Sequence, residues 1–263
     1  MTASPASLLA LTREVTPAIT RCELTYLARE PLDHRRAVLQ HDEYERLLQA
    51  LGCQVERVPA HPDLADAVFI EDTAVVLDEL AVITRPGAES RRGETDPVAA
   101  ALGRYRPVVR IEPPGTLDGG DVLRVGKRVY VGQSTRSNAP GTAQLRAALA
   151  PHGYLVDAVP MAGCLHLKSA VTAVSDQVLL LNPAWVDPAR FTGLECIMVD
   201  PGEPQAANAL RVGEAVLHGA GYSRTRGRLE RQGFRVCPVD LSELAKAEGA
   251  VTCCSVILAL VPA

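Results

Sequence analysis

The chain has 263 residues, 47% of them hydrophobic and 22% charged, with a net charge of −4. That length can bury a sizeable core, and a mild negative charge without a basic cluster excludes a nucleic-acid or anionic-lipid partner. No stretch reaches the roughly 18 apolar residues of a membrane span, and seven cysteines without a Cys-x-x-Cys spacing exclude a disulfide framework and a Cys-rich zinc site.

From the N-terminus, Met1 to Ala10 shows no cationic region followed by a clear apolar one, so no secretory leader is expected and a reducing cytoplasm is the expected compartment. Further on, a helical pattern, a glycine, a short strand and a proline follow one another three times. Leu47 to Leu51 leads through Gly52 into Gln54 to Val58 and Pro59. Leu145 to Leu149 leads through Gly153 into Tyr154 to Val156 and on to Pro160. Leu229 to Gln232 leads through Gly233 into Phe234 to Val236 and Pro238. Glycine is the expected helix cap there, because it takes the left-handed backbone without strain.

Between these units the pattern predicts hairpins. Ala67 to Val76 pairs with Leu80 to Thr84, and Asp121 to Val125 with Arg128 to Val131. Ser169 to Val174 pairs with Val178 to Leu181, and Ala209 to Val212 with Ala215 to His218. Their centres recur at roughly 40 to 50 residues, a period typical of radial repeats. The expected fold is α/β: a single domain over 1–263 of about five strand-strand-helix-strand modules around an axis. An ordinary mixed sheet is the alternative on pattern alone. The first unit, Thr20 to Arg57, would close with a C-terminal strand in the apolar run Val256 to Val261.

In a radial arrangement the inner strand ends converge, and polar residues recur at that place: Glu71 and Asp72, Asp118 and Asp121, His166, and Cys253. Each has a bland reading and a chemical one. Cys253, at the mouth of the last strand, is a small core residue or a nucleophile. His166, between two leucines, is a satisfied core histidine or its base. Leu117-Asp118-Gly119-Gly120-Asp121 is a turn, with or without a carboxylate placed to orient an imidazole. Glu71 and Asp72, read as adjacent residues of a strand, mark a bulge or a structural ion pair, or form a clamp for a guanidinium, whose planar donors suit two carboxylates. Arg91, Arg92 and Arg136 in loops are solvated charges or ligands for a substrate carboxylate.

The set in this order resembles the dimethylarginine dimethylaminohydrolase family of the guanidine-modifying (pentein) superfamily. The segments that carry the resemblance are Phe69 to Val76, Thr84 to Gly87 with Ser90 to Arg92, Leu117 to Leu123, His166 to Ser169 and Thr252 to Val256; residues 1 to 40 match more loosely. The resemblance implies a pseudo-symmetric five-module α/β propeller that hydrolyses N-methylated arginine to citrulline and a methylamine, without a cofactor or metal. Cys253 corresponds to the nucleophile, His166 to the general acid/base and Asp118 to its orienting carboxylate. Glu71 and Asp72 correspond to the guanidinium clamp, Arg91 and Arg136 to the α-carboxylate ligands, and Asp66 to the α-amino ligand. Leu27 and Ala247 correspond to positions whose backbone lines the pocket; Ala247 is smaller than the residue expected. The implied partner is a small-molecule guanidine, and a homodimer is left open. An enzyme acting on plain arginine or another guanidine, and a non-catalytic arginine-binding member, are the alternatives.

Overall fold

The computed structural model describes residues 7–260. Residues 1–6 of the stretch expected to carry no leader, and Val261 at the end of the expected C-terminal strand, lie outside the described residues. The described strands form five sheets of three. The first module has β1 (Leu8–Thr12), α1 (His34–Ala50) and β2 (Cys53–Arg57), and the second has β3 (Ala74–Val76), β4 (Ala81–Ile83), α2 (Thr95–Leu102) and β5 (Val108–Arg110). The third runs β6 (Val122–Val125), β7 (Arg128–Gln133), α3 (Ala139–Leu149) and β8 (Leu155–Pro160). In the fourth, a short α4 (Leu167–Ala170) precedes β9 (Val171–Ala173), β10 (Val178–Leu181) and β11 (Glu195–Met198). The fifth has β12 (Ala209–Val212), β13 (Ala215–Gly219), α5 (Ser223–Arg231) and β14 (Arg235–Val239); a short α6 (Ser242–Ala245) and β15 (Val256–Ala259) follow.

Each complete module repeats one pairing rule: its first two strands are antiparallel, and its second and third are parallel. The parallel step needs a crossover, supplied by α2, α3 or α5, and by a 3-10 turn at Pro188–Arg190 in the fourth module. β15 completes the first module by pairing antiparallel to β1, from Leu8 opposite Ala259 to Leu11 opposite Val256. β15 packs against β3, and β9 against both β6 and β12, so the first strands of the modules form the inner ring. The five-module α/β architecture expected from the repeat is present.

Three glycines expected as caps, Gly52, Gly153 and Gly233, have φ of 93°, 76° and 87°, the left-handed region. The strand expected over Ala67 to Val76 is corrected. Ile70–Thr73 is a 3-10 turn, and only Ala74–Val76 is strand. Turn bonds explain it: the Asp72 N–H donates to the Phe69 carbonyl at 3.3 Å, and Thr73 Oγ1 donates to the Ile70 carbonyl at 2.6 Å. Similarly, Ser169 and Ala170 belong to α4 rather than to the strand expected from Ser169 to Val174.

One helix bears directly on the site. Asp33 caps α1, accepting the Arg36 N–H, and Ala37, His41, Tyr44 and Leu48 form its buried face at three- and four-residue spacing. The Tyr44 hydroxyl reaches the Val251 carbonyl at 2.9 Å and Ser255 Oγ at 2.7 Å. It thereby pins both ends of the turn that carries Cys253. Among the described residues no helix is long and apolar enough to cross a membrane.

Candidate active site

Each inner strand is preceded by a helical turn, and the polar residues sit on these turns or at their edges. Glu71 and Asp72 precede β3, Asp118 and Asp121 precede β6, His166 precedes β9, Asn208 precedes β12 and Cys253 precedes β15. Cys253 and Cys254 lie in the turn over residues 251–254, not in a strand, so the alternation of a strand does not separate them. The turn separates them instead: Cys254 is fully buried in the core, whereas Cys253 is partly exposed and faces a cavity.

That cavity, of about 20 Å³, is lined by Cys253, His166, Asp72, Asp66, Arg91 and Arg136, together with Ala247 and Glu248. It has room for about one water molecule. Asp118 stands behind His166 with no exposed surface; its Oδ2 lies 3.1 Å from Nε2 of the imidazole. Asp118 is itself held by the N–H of Gly87 at 2.9 Å, and its own N–H donates to Ser137 Oγ at 3.1 Å. The other imidazole nitrogen, Nδ1, lies 3.7 Å from Asp72 Oδ1. Asp121 accepts the N–H of Leu167 at 3.0 Å and the hydroxyls of Ser134 and Ser137, fixing the turn that presents His166.

The glycines of the Asp118 turn are spacers for this packing. A Cβ on Gly120 would stand 2.7 Å from both His166 Nδ1 and Asp72 Oδ1, and one on Gly119 would collide with the Glu71 carbonyl. Only residues without side chains let the turn approach so closely.

Burial and carboxylates set the charges. Burial pushes the Cys253 thiol up to about 12, helped by the negative Glu71 and Asp72, so the free site holds a neutral thiol. Burial pulls His166 down, but Asp72, the hydrogen bond to Asp118 and Asp121 outweigh it and raise the imidazole to about 9. Asp72 moves the opposite way: burial opposes its charge, yet His166 and Arg91 hold it below the usual carboxylate range. Burial raises Asp66 to about 6 against the pull of Arg91.

Not every expected residue faces the cavity. Glu71 turns away from it, with Oε1 2.6 Å from Lys168 Nζ and Oε2 accepting the Thr252 hydroxyl at 2.7 Å; it lines a separate cavity of about 360 Å³. Leu27 lines a third, of about 300 Å³, beside the small one. Arg91 is heavily engaged: Nε and Nη2 grip Glu94 at 3.1 and 2.9 Å, and Nη1 meets Asp72 at 2.5 Å. Lys168, Thr252, Asn208 and Glu94 were not picked out from the sequence. Asn208 could have been found by the repeat, since it holds the fifth module's equivalent place. It receives the Thr252 N–H at 3.0 Å, and its Nδ2 donates to the Lys168 carbonyl at 3.1 Å.

Asp72, Asp118 and His166 offer ligand atoms within 4.8 Å of one another, a grouping able to hold a cation. Its imidazole nitrogens already face one carboxylate each, which is also the arrangement of an oriented acid/base.

No family model matches the chain. It is 42% identical over 251 residues, 95% of this chain and 96% of the relative, to N(G),N(G)-dimethylarginine dimethylaminohydrolase of Streptomyces coelicolor. The chain belongs to the dimethylarginine dimethylaminohydrolase family. The Pseudomonas aeruginosa dimethylarginine dimethylaminohydrolase is 40% identical over 225 residues, 85% of this chain and 89% of that protein. A solved structure of the P. aeruginosa protein, a cysteine-to-serine mutant complexed with citrulline, superposes with a TM-score of 0.91 at 36% identity. It covers 95% of this chain and 98% of that one.

Proposed function

We propose that this chain hydrolyses N-methylated arginine to citrulline and a methylamine through a covalent intermediate on Cys253. The observation that carries the reading is one small cavity lined by Cys253, His166, Asp72 and two arginines, with Asp118 against the far nitrogen of the imidazole. The family relationship and the citrulline complex of its P. aeruginosa member support it.

The thiol is neutral in the free site, but the substrate arrives as a cation. At ~4 Å and an effective dielectric of ~20, a unit charge favours the thiolate by about 4 kcal/mol, or about three pKa units. Binding therefore moves Cys253 down from about 12 toward the range where thiolate forms. Asp72 faces the guanidinium, while Glu71 adds negative charge from beneath. The thiolate attacks the guanidinium carbon. His166, already protonated at neutral pH, gives its proton to the methylated nitrogen as that C–N bond breaks. An S-alkylthiouronium on Cys253 remains. His166 then takes a proton from water, whose oxygen adds to the same carbon; the C–S bond breaks as the remaining hydroxyl proton passes to solvent or the released amine, leaving citrulline, the thiolate and a protonated His166. Asp118 holds the imidazole through both halves.

At the amino-acid end, Arg136 and the remaining Nη1 hydrogen of Arg91 serve the α-carboxylate, and Asp66 the α-amino group. The route runs on side chains and water within a single domain. Seven unpaired cysteines fit the reducing cytoplasm expected from the sequence.

Turnover of mono- and dimethylarginine, arginine and agmatine, compared as kcat/KM under one set of conditions, tests the reading. Methylarginines are expected to lead. Plain arginine would set an extra donor unpaired against the site's wall, at about 1 to 3 kcal/mol. Equal or better turnover of arginine would replace the assignment with a deiminase.

A further inference from the structure

We propose that Glu248 is the latch of the active site, a positioning residue whose carboxylate holds the segment 23–27 over the bound substrate. Three consecutive backbone N–H groups converge on this one side chain. Thr25 donates to Oε1 and Oε2 at 3.1 Å each, Tyr26 to Oε1 at 2.5 Å and Leu27 to Oε1 at 2.7 Å. Residues 25–30 are exposed, so without Glu248 these three N–H groups would turn to water and the tip would be held chiefly through the Thr25 side chain.

The backbone of Glu248 marks the position independently. Its φ is 59°, and every other described residue with positive φ is a glycine. A residue with a side chain in that region carries strain that glycine would avoid. Keeping glutamate there calls for the side chain to contribute something, and the three N–H groups are what it touches.

The same segment also holds the groups assigned to the amino-acid end of the substrate. The Glu23 N–H meets Asp66 Oδ1 and Oδ2 at 3.3 and 3.2 Å, and Arg136 Nη2 donates to Thr25 Oγ1 at 3.1 Å. Glu248 lines both the 20 Å³ cavity and the 300 Å³ cavity beside it, where Tyr26 and Leu27 also stand. A space of about 20 Å³ does not admit an arginine, so substrate entry requires its walls to move, and the exposed segment that begins at Glu23 is the part we assign to that movement. Lifting breaks the bonds to Glu248, and re-forming them encloses the ligand. The substrate side of this inference rests on the function proposed above; the latch itself does not.

Hydrogen–deuterium exchange across residues 23–27, without ligand, is the direct test. Glu248→Gly suits its backbone and relieves strain, so thermal unfolding should show an intact fold. Exchange at Thr25, Tyr26 and Leu27 is expected to rise at least tenfold in Glu248→Gly. Glu248→Gln keeps an acceptor oxygen and is expected to fall between. Unchanged exchange in Glu248→Gly overturns the latch. With methylarginine, Glu248→Gly is expected to raise KM about tenfold with a smaller change in kcat. Faster exchange with an unchanged KM would overturn the claim that the latch retains substrate. Absent methylarginine turnover in the wild type would instead strike the function and leave the exchange result standing.

Discussion

Lys168 Nζ stands 2.6 Å from Glu71 Oε1, and both side chains line the 360 Å³ cavity. Glu71, Lys168 and Thr252 face the 360 Å³ cavity, while the adjacent Asp72 and Cys253 face the small one. Glu71 is thus paired behind the small cavity, and on the proposed function it would act on a guanidinium through its field more than by contact.

Lys168→Met leaves the Glu71 carboxylate buried without its cation, a loss on the order of 3 kcal/mol. Chemical denaturation should show it. Adding Glu71→Gln should restore part of the stability; full additivity of the two substitutions would mean the pair does not act as a unit.

Cys253→Ser is expected to abolish turnover. Cys254→Ser should keep turnover within a few-fold while costing about 1 to 2 kcal/mol of stability, because it puts a hydroxyl into an apolar core. The Ala250 carbonyl, 3.6 Å from Cys254 Sγ, gives that hydroxyl a partner. Mass spectrometry of a trapped substrate adduct should map it to Cys253, and an adduct on Cys254 would reverse the assignment.

Gly120→Ala places a methyl group 2.7 Å from His166 Nδ1 and Asp72 Oδ1. Turnover should fall at least about a hundredfold, because acid/base groups displaced by even an ångström lose that much. Near-normal turnover would show that the imidazole has room the packing denies it.

His166 links stability to pH. Its folded pKa, about 9, lies above the unfolded value of about 6.5. The stabilisation is therefore fully present below about 6.5 and is lost as pH rises through about 9. The stability gap between wild type and His166→Asn should narrow over that window. A gap that stays constant from the lower to the upper limit would mean the imidazole is not held charged by its carboxylates.

Much of this was legible beforehand because strands, glycine caps and turns recur with the module. Val178–Leu181 and Ala209–Val212 fall at their expected bounds, and Gly52, Gly153 and Gly233 adopt the backbone that capping requires. What stayed hidden depends on contacts between modules. Apolar flanks suggested a strand through Glu71 and Asp72, but a bond from the Glu71 N–H to the Cys253 carbonyl at 3.1 Å favours a turn. β1 carries no local signal of its own, because its antiparallel partner is far off in sequence. Val108–Arg110 and Glu195–Met198 are third strands of only three and four residues, too short to stand out, although Gly103 with Pro113 and Gly193 with Pro201 flank them as glycine and proline flank the others. Glu248 had no signal at all, since its partners are backbone groups across the fold.

The pairing of β1 with β15 has a consequence for biosynthesis. One is among the first described segments to leave the ribosome and the other among the last, so the edge of β1 stays open through most of translation. An unpaired edge is a site for wrong partners, and a contact this distant in sequence is slow to form. Cys253, the proposed nucleophile, comes just before the strand that closes the ring. On the proposed mechanism the thiol therefore takes its place beside His166 only as the ring shuts, so that assembly and chemical competence would arrive in the same step.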